Sequence, residues 1–137
     1  MRKGFAIAVA AAAVSSIWVV PGSGIAAPQG AAWSSSYFRS PTGNIRCRWF
    51  TYDRVMACKT LNNGRVGVVP LYGSAYYGYF TDYGFPSGPT LYYGQYWTSQ
   101  IGSTPQFRCD SRSSGMTCQS LQSGRGFTIA REGFRTF

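Results

Sequence analysis

The chain has 137 residues, with 13 Lys and Arg against 4 Asp and Glu, a formal charge of +9, four cysteines and no histidine. The missing histidine excludes a Ser-His-Asp triad, a Cys-His dyad and a His-ligated zinc site. Aromatic residues at 17% and charged residues at only 12% exclude a disordered polar tail.

Residues 1–26 read as a secretory signal peptide. Arg2 and Lys3 supply the positive start, Phe5 to Val20 the apolar stretch, and Pro21-Gly22 the break before small residues. The expected cut lies between Ala26 and Ala27. The apolar stretch is shorter than the ~20 residues that span a bilayer, and no stop-transfer charges follow it. Cleavage would remove Arg2 and Lys3 and take the charge from +9 to +7. Residues 27–37 are expected as a flexible N-terminal segment, and residues 38–137 as one disulfide-stapled β domain.

Export places the four cysteines where disulfides persist. Four cysteines allow three pairings, and an internal repeat chooses among them. Met56-Ala57-Cys58 through Gly64-Arg65 recurs as Met116-Thr117-Cys118 through Gly124-Arg125, and Arg46-Cys47 is matched by Arg108-Cys109. Each copy therefore closes its own bridge, Cys47–Cys58 and Cys109–Cys118. In the first copy Ile45, Cys47 and Trp49 alternate with Arg46 and Arg48, the period of a half-buried strand. A turn at Tyr52-Asp53 leads to a return strand with Met56, Cys58 and Thr60 on one face. In the second, Phe107 and Cys109 answer Met116 and Cys118 across Ser111 to Gly115. The spacing does not match the CxxC pairs of a zinc knuckle, so no metal and no cofactor is expected.

Between the hairpins, residues 72–97 hold eight tyrosines, two phenylalanines, Trp97 and five glycines, with Asp82 the lone charge. Tyr76, Tyr77, Tyr79 and Trp97 are candidates for stacking on a sugar face. The plainer reading assigns these aromatics to short strands and the glycines to turns. With the cysteines facing inward, Arg46, Arg48 and Arg108 fall on outward faces and are the candidate contacts for an anionic partner. Ordinary solvation of a basic surface would explain them equally well.

Asp53, Asp82, Asp110 and Glu132 are the only acids in the chain. Asp53 fits a turn, Glu132 lies among arginines, and only Asp82 sits in aromatic surroundings. No GxSxG, P-loop or GxGxxG occurs after the leader, so no catalytic residue is assigned. No helix-turn-helix, RNP run or zinc finger occurs either, so nucleic acid is not an expected partner.

An ordered set of motifs closes the reading. Ser40-Pro41-Thr42-Gly43-Asn44-Ile45-Arg46-Cys47 is followed by Leu91-Tyr92-Tyr93-Gly94. Phe107-Arg108-Cys109 then leads to Gly115-Met116-Thr117-Cys118, and Gly124-Arg125-Gly126-Phe127 to Arg131. The set resembles a family of small exported actinobacterial proteins of unknown function. It spans about residues 38–137. Many relatives carry a further cysteine pair and a His where this chain has Arg125. The resemblance implies export and a disulfide-stapled β domain, without an activity or ligand.

The expectation is thus an all-β protein, a small antiparallel domain of two related disulfide-closed hairpins. Its expected role is secreted, non-catalytic binding of an anionic or polysaccharide partner in the envelope or extracellular space, a lipid surface included. The rivals are a protein-binding module, such as an enzyme inhibitor presenting Arg112 to Gly115, and a small carboxylate-dependent hydrolase.

Overall fold

A computed structural model describes residues 30–32, 35–78, 84–99 and 104–137. The expected signal peptide, Tyr79 and Asp82 lie outside the described residues. The described chain is all-β, with strands β1 (Gly30–Ala32), β2 (Tyr37–Arg39), β3 (Ile45–Phe50), β4 (Val55–Thr60), β5 (Val66–Pro70) and β6 (Tyr76–Gly78). These are followed by β7 (Tyr96–Thr98), β8 (Phe107–Arg112), β9 (Gly115–Ser120), β10 (Gly126–Ile129) and β11 (Phe134–Thr136). Strands β2 to β6 form one antiparallel sheet in sequence order, and β7 to β11 form the other, with β1 added parallel to β7. Segment 27–37, expected as flexible, thus contributes β1 and the start of β2.

The repeat is structural as well as sequential. Each copy is a five-stranded meander with the disulfide hairpin near its middle. Cys47 pairs with Cys58 and Cys109 with Cys118 in the strand register, at Cα separations of 4.0 and 4.1 Å, and both bridges form. A directly opposed antiparallel pair brings Cβ atoms close enough for a disulfide. The turn after each hairpin is built the same way. Gly64 and Gly124 take φ of 70° and 75°, and their N–H groups donate to Thr60 O and Ser120 O. Left-handed backbone of this kind is cheap only for glycine.

The two sheets pack face to face, and equivalent residues meet, as a two-fold arrangement requires. Phe38 and Trp97, at the centres of β2 and β7, are both fully buried, with ring centroids 5.2 Å apart. Cys58 Sγ lies 3.5 Å from Cys118 Sγ across the interface. Ile45, Met56, Val69, Phe107, Met116, Phe127 and Ile129 complete this core. Gly67 breaks the symmetry: its equivalent is Phe127, and a Cβ at Gly67 would collide with Phe134 and meet the Phe127 ring at 3.0 Å.

The outer faces differ. On β8 and β9 buried and less buried residues alternate, the signature of a sheet with one wet side. On β4 and β5 nearly every residue is buried. The chain from Gly84 to Thr90 crosses that outer face as a strap. Phe85 packs there with Phe50, Val55, Ala57, Val66 and Val68 as a second small core. Continuous Val-rich runs belong to strands covered on both sides, and the strap is the cover.

Candidate functional site

The residues singled out from the sequence do not assemble into one site. Arg46 and Arg48 do face outward, but they fasten the strap. Arg46 Nη1 donates to Phe85 O at 3.3 Å and Arg48 Nη1 to Gly84 O at 2.9 Å. Arg39 joins them, donating to Thr90 Oγ1 at 3.0 Å and Ser87 Oγ at 3.1 Å. Arg48 also lies over the Phe50 ring, 4.9 Å from its centroid. These guanidinium groups are scaffolding: Gly84 and Phe85 of the strap belong to no strand, and arginine supplies several donors for their carbonyls.

Arg108 lies on the outer face of the other sheet. It forms a two-pronged pair with Asp110, at 3.0 and 2.9 Å, and stacks on Tyr96 at 3.9 Å. The hydrogen bond to Asp110, with the charge of that carboxylate, holds the guanidinium pKa above its usual value, against the opposing effect of burial. Asp110 is thereby committed to Arg108. Asp53 sits exposed in the turn between β3 and β4, and Glu132 in the turn between β10 and β11. The described acids form no cluster suited to metal binding; the grouping that has such spacing is made of Cys47, Cys58 and Cys118. Their sulfurs are already bonded in disulfides.

Trp97 is not a surface platform. It is fully buried, and its indole N–H donates to Ser35 O at 3.0 Å. A large aromatic at the centre of a strand opposite Cys109 is more valuable to the core than to a surface. Tyr76 and Tyr77 are each 47% exposed on β6. Their directions differ: Tyr76 pairs with Val68 on the strap side, whereas Tyr77 pairs with Gly67 and meets Phe134 edge-on. They are half-buried edge residues on opposite sides of one strand.

A different place gathers binding chemistry. One end of the sandwich carries an open groove of about 400 Å³ between the β2–β3 turn and the tip of the β8–β9 hairpin. Thr42, Asn44 and Asn62 line it from the first copy, and Arg112, Ser113 and Ser114 from the second. Tyr93, Arg131 and Glu132 complete the rim. Ten-residue stretches of sequence give no sign of this, because the lining comes from five separate segments.

The walls are held firmly. Buried Ser40 accepts the Ile45 N–H at 3.1 Å, and Thr42 Oγ1 accepts that of Asn44 at 3.3 Å. Asn44 Oδ1 accepts the Asn62 N–H at 3.1 Å, which leaves the Asn44 amide NH2 as a donor. Tyr93 rides on a tight turn in which Tyr92 N–H donates to Gln95 Oε1 at 2.9 Å. Ser111 pins that turn to β8, donating from Oγ to Leu91 O at 3.0 Å and accepting the Gly94 N–H through its carbonyl at 2.8 Å. Arg112, Arg131 and Glu132 are exposed, and none is ion-paired among the described residues. The groove therefore offers a tyrosine ring, amide and hydroxyl groups, and two guanidinium groups with no ion-pair partner among the described residues, beside the carboxylate of Glu132.

No family model, curated protein or solved structure matches this chain. No helix among the described residues is long and apolar enough to cross a membrane. The two disulfides are consistent with an extracellular or secreted protein.

Proposed function

We propose that the chain is an exported, non-catalytic binding protein of the envelope or extracellular space, whose end groove takes an anionic polysaccharide. The observation that carries this reading is the groove itself, which Tyr93, Asn44, Arg112 and Arg131 line together, two cations against the one acid Glu132. Sugar rings present an apolar face that stacks on tyrosine and hydroxyls that need fixed polar partners, while acidic substituents need unpaired cations. The net charge, +9 for the whole chain and +7 once Arg2 and Lys3 leave with the leader, adds a general attraction that screens with salt. Membership of the small exported actinobacterial family belongs to this same reading and agrees with the stapled β fold.

The test is retention of the oxidised protein on isolated cell envelopes from low to high salt. Retention should fall as salt rises, and R112A/R131A should weaken it about tenfold at low salt, a change of ~1.4 kcal/mol in binding free energy. Y93A should weaken binding with its salt dependence unchanged, since stacking is not a charge interaction. No retention at any salt would overturn the proposal. Salt-resistant, stoichiometric capture of one protein would instead favour the inhibitor-like reading, in which the hairpin tip at Ser113-Ser114 is the presented loop.

A further inference from the structure

Two disulfides that staple separate hairpins have no need to touch, yet here they do. Cys58 Sγ is 3.5 Å from Cys118 Sγ, and the sulfurs of Cys47, Cys58 and Cys118 all lie within 4.8 Å of one another. All four cysteines are fully buried between the sheets. Because Cys58 and Cys118 are equivalent residues of the two copies, facing sheets bring them together wherever each copy closes its own bridge. We infer that the four sulfurs form a single thiol–disulfide exchange centre, in which opening one bridge by a dithiol reductant passes to the other and leaves a Cys58–Cys118 cross-link between the sheets.

The steps balance. A dithiol gives two electrons to the Cys109–Cys118 bond and becomes a disulfide itself, leaving Cys109 and Cys118 as thiols. Cys118 loses its proton, and the thiolate attacks Cys58 Sγ, 3.5 Å away. The Cys58–Cys118 bond forms, the Cys47–Cys58 bond breaks, and Cys47 leaves as a thiolate that takes up a proton. This second step has no net oxidation, as thiol–disulfide exchange requires. Two bridges within hairpins, spanning 11 and 9 positions, are replaced by one that spans 60 and ties sheet to sheet. Full burial shields the bonds from the dithiol in the closed fold, so the first step needs a transient opening, whereas the second needs only the contact already present.

The variant C47S/C109S tests the second half directly. Refolded under oxidised glutathione, it should yield monomer with Cys58 linked to Cys118, read by peptide mapping without reduction. Alkylatable thiols in a chain that keeps the native sheet signal would overturn the inference. The wild-type chain decides the matter even if that variant fails to fold. It is treated with one equivalent of dithiothreitol, quenched in acid, alkylated and mapped. The expected product carries label on Cys47 and Cys109 together, several-fold more abundant in the folded chain than in urea. Label confined to the pairs Cys47 with Cys58 and Cys109 with Cys118, or equal yields in urea, would overturn it.

Discussion

Gly67 and Phe127 occupy the same place in the two copies, and the core depends on the difference between them. Phe127 fills the interface opposite Gly67, and Phe134 closes over it at 5.8 Å between ring centroids. A methyl group at Gly67 would push against both rings. We expect Gly67→Ala to cost about 1–3 kcal/mol, the usual penalty for overpacking, seen as a lower urea midpoint with an unchanged slope. The reverse asymmetry appears at Arg108 and Arg46, also equivalent positions: the sequence presents both as outward cations, and the structure gives one a carboxylate and the other a backbone carbonyl. Which acceptor an arginine finds is settled by tertiary packing, so residue type alone told where these side chains point but not what they hold.

At the level of elements, the disulfide hairpins were readable because their signals are local: alternation along β3, a short turn, and a matched pair of cysteine spacings. The duplication was readable for the same reason, as the same residues recur at a constant offset. Strands β1, β2, β5, β10 and β11 went unrecognised, being short and lacking a long alternating pattern, and β6 and β7 were foreseen only as unplaced short strands within 72–97. Val66-Gly67-Val68-Val69 shows no clear period because it is buried on both sides. The strap explains that burial, and its sequence, Gly84 to Thr90, carries no strand or helix signal. The groove was hidden for another reason. Asn44, Asn62, Ser113 and Ser114 are ordinary turn residues individually, and only the fold brings them to one end. The strap itself can be tested: R46A/R48A removes two donors and should speed amide exchange at Arg39 and Leu91, whose N–H groups donate to Pro89 O and Arg39 O. Exchange at β9 should stay as in the parent protein, since β9 lies in the opposite sheet.

The whole molecule is two copies of one unit sharing one core, and its stability should show that parity. Each bridge closes a short loop, worth about 2–3 kcal/mol in the chain-entropy description. C47A/C58A and C109A/C118A should therefore lower stability by similar amounts, and by roughly ten degrees or more in melting temperature for a domain of this size. Calorimetry on the two variants checks this; a large inequality would show that the copies contribute unequally. The contact between Cys58 and Cys118 makes the two losses coupled, so the four-cysteine variant should depart from their sum.

The strap has one more consequence. Its fastenings run from Arg39, Arg46 and Arg48 to two backbone carbonyls and two hydroxyls. All four acceptors are neutral, so none of these fastenings is an ion pair. A clasp made from arginine and carboxylate is weakened when salt screens its two charges; these fastenings have no second charge to screen. Salt that weakens the pairing of Arg108 with Asp110 on one face of the molecule leaves them latched on the other.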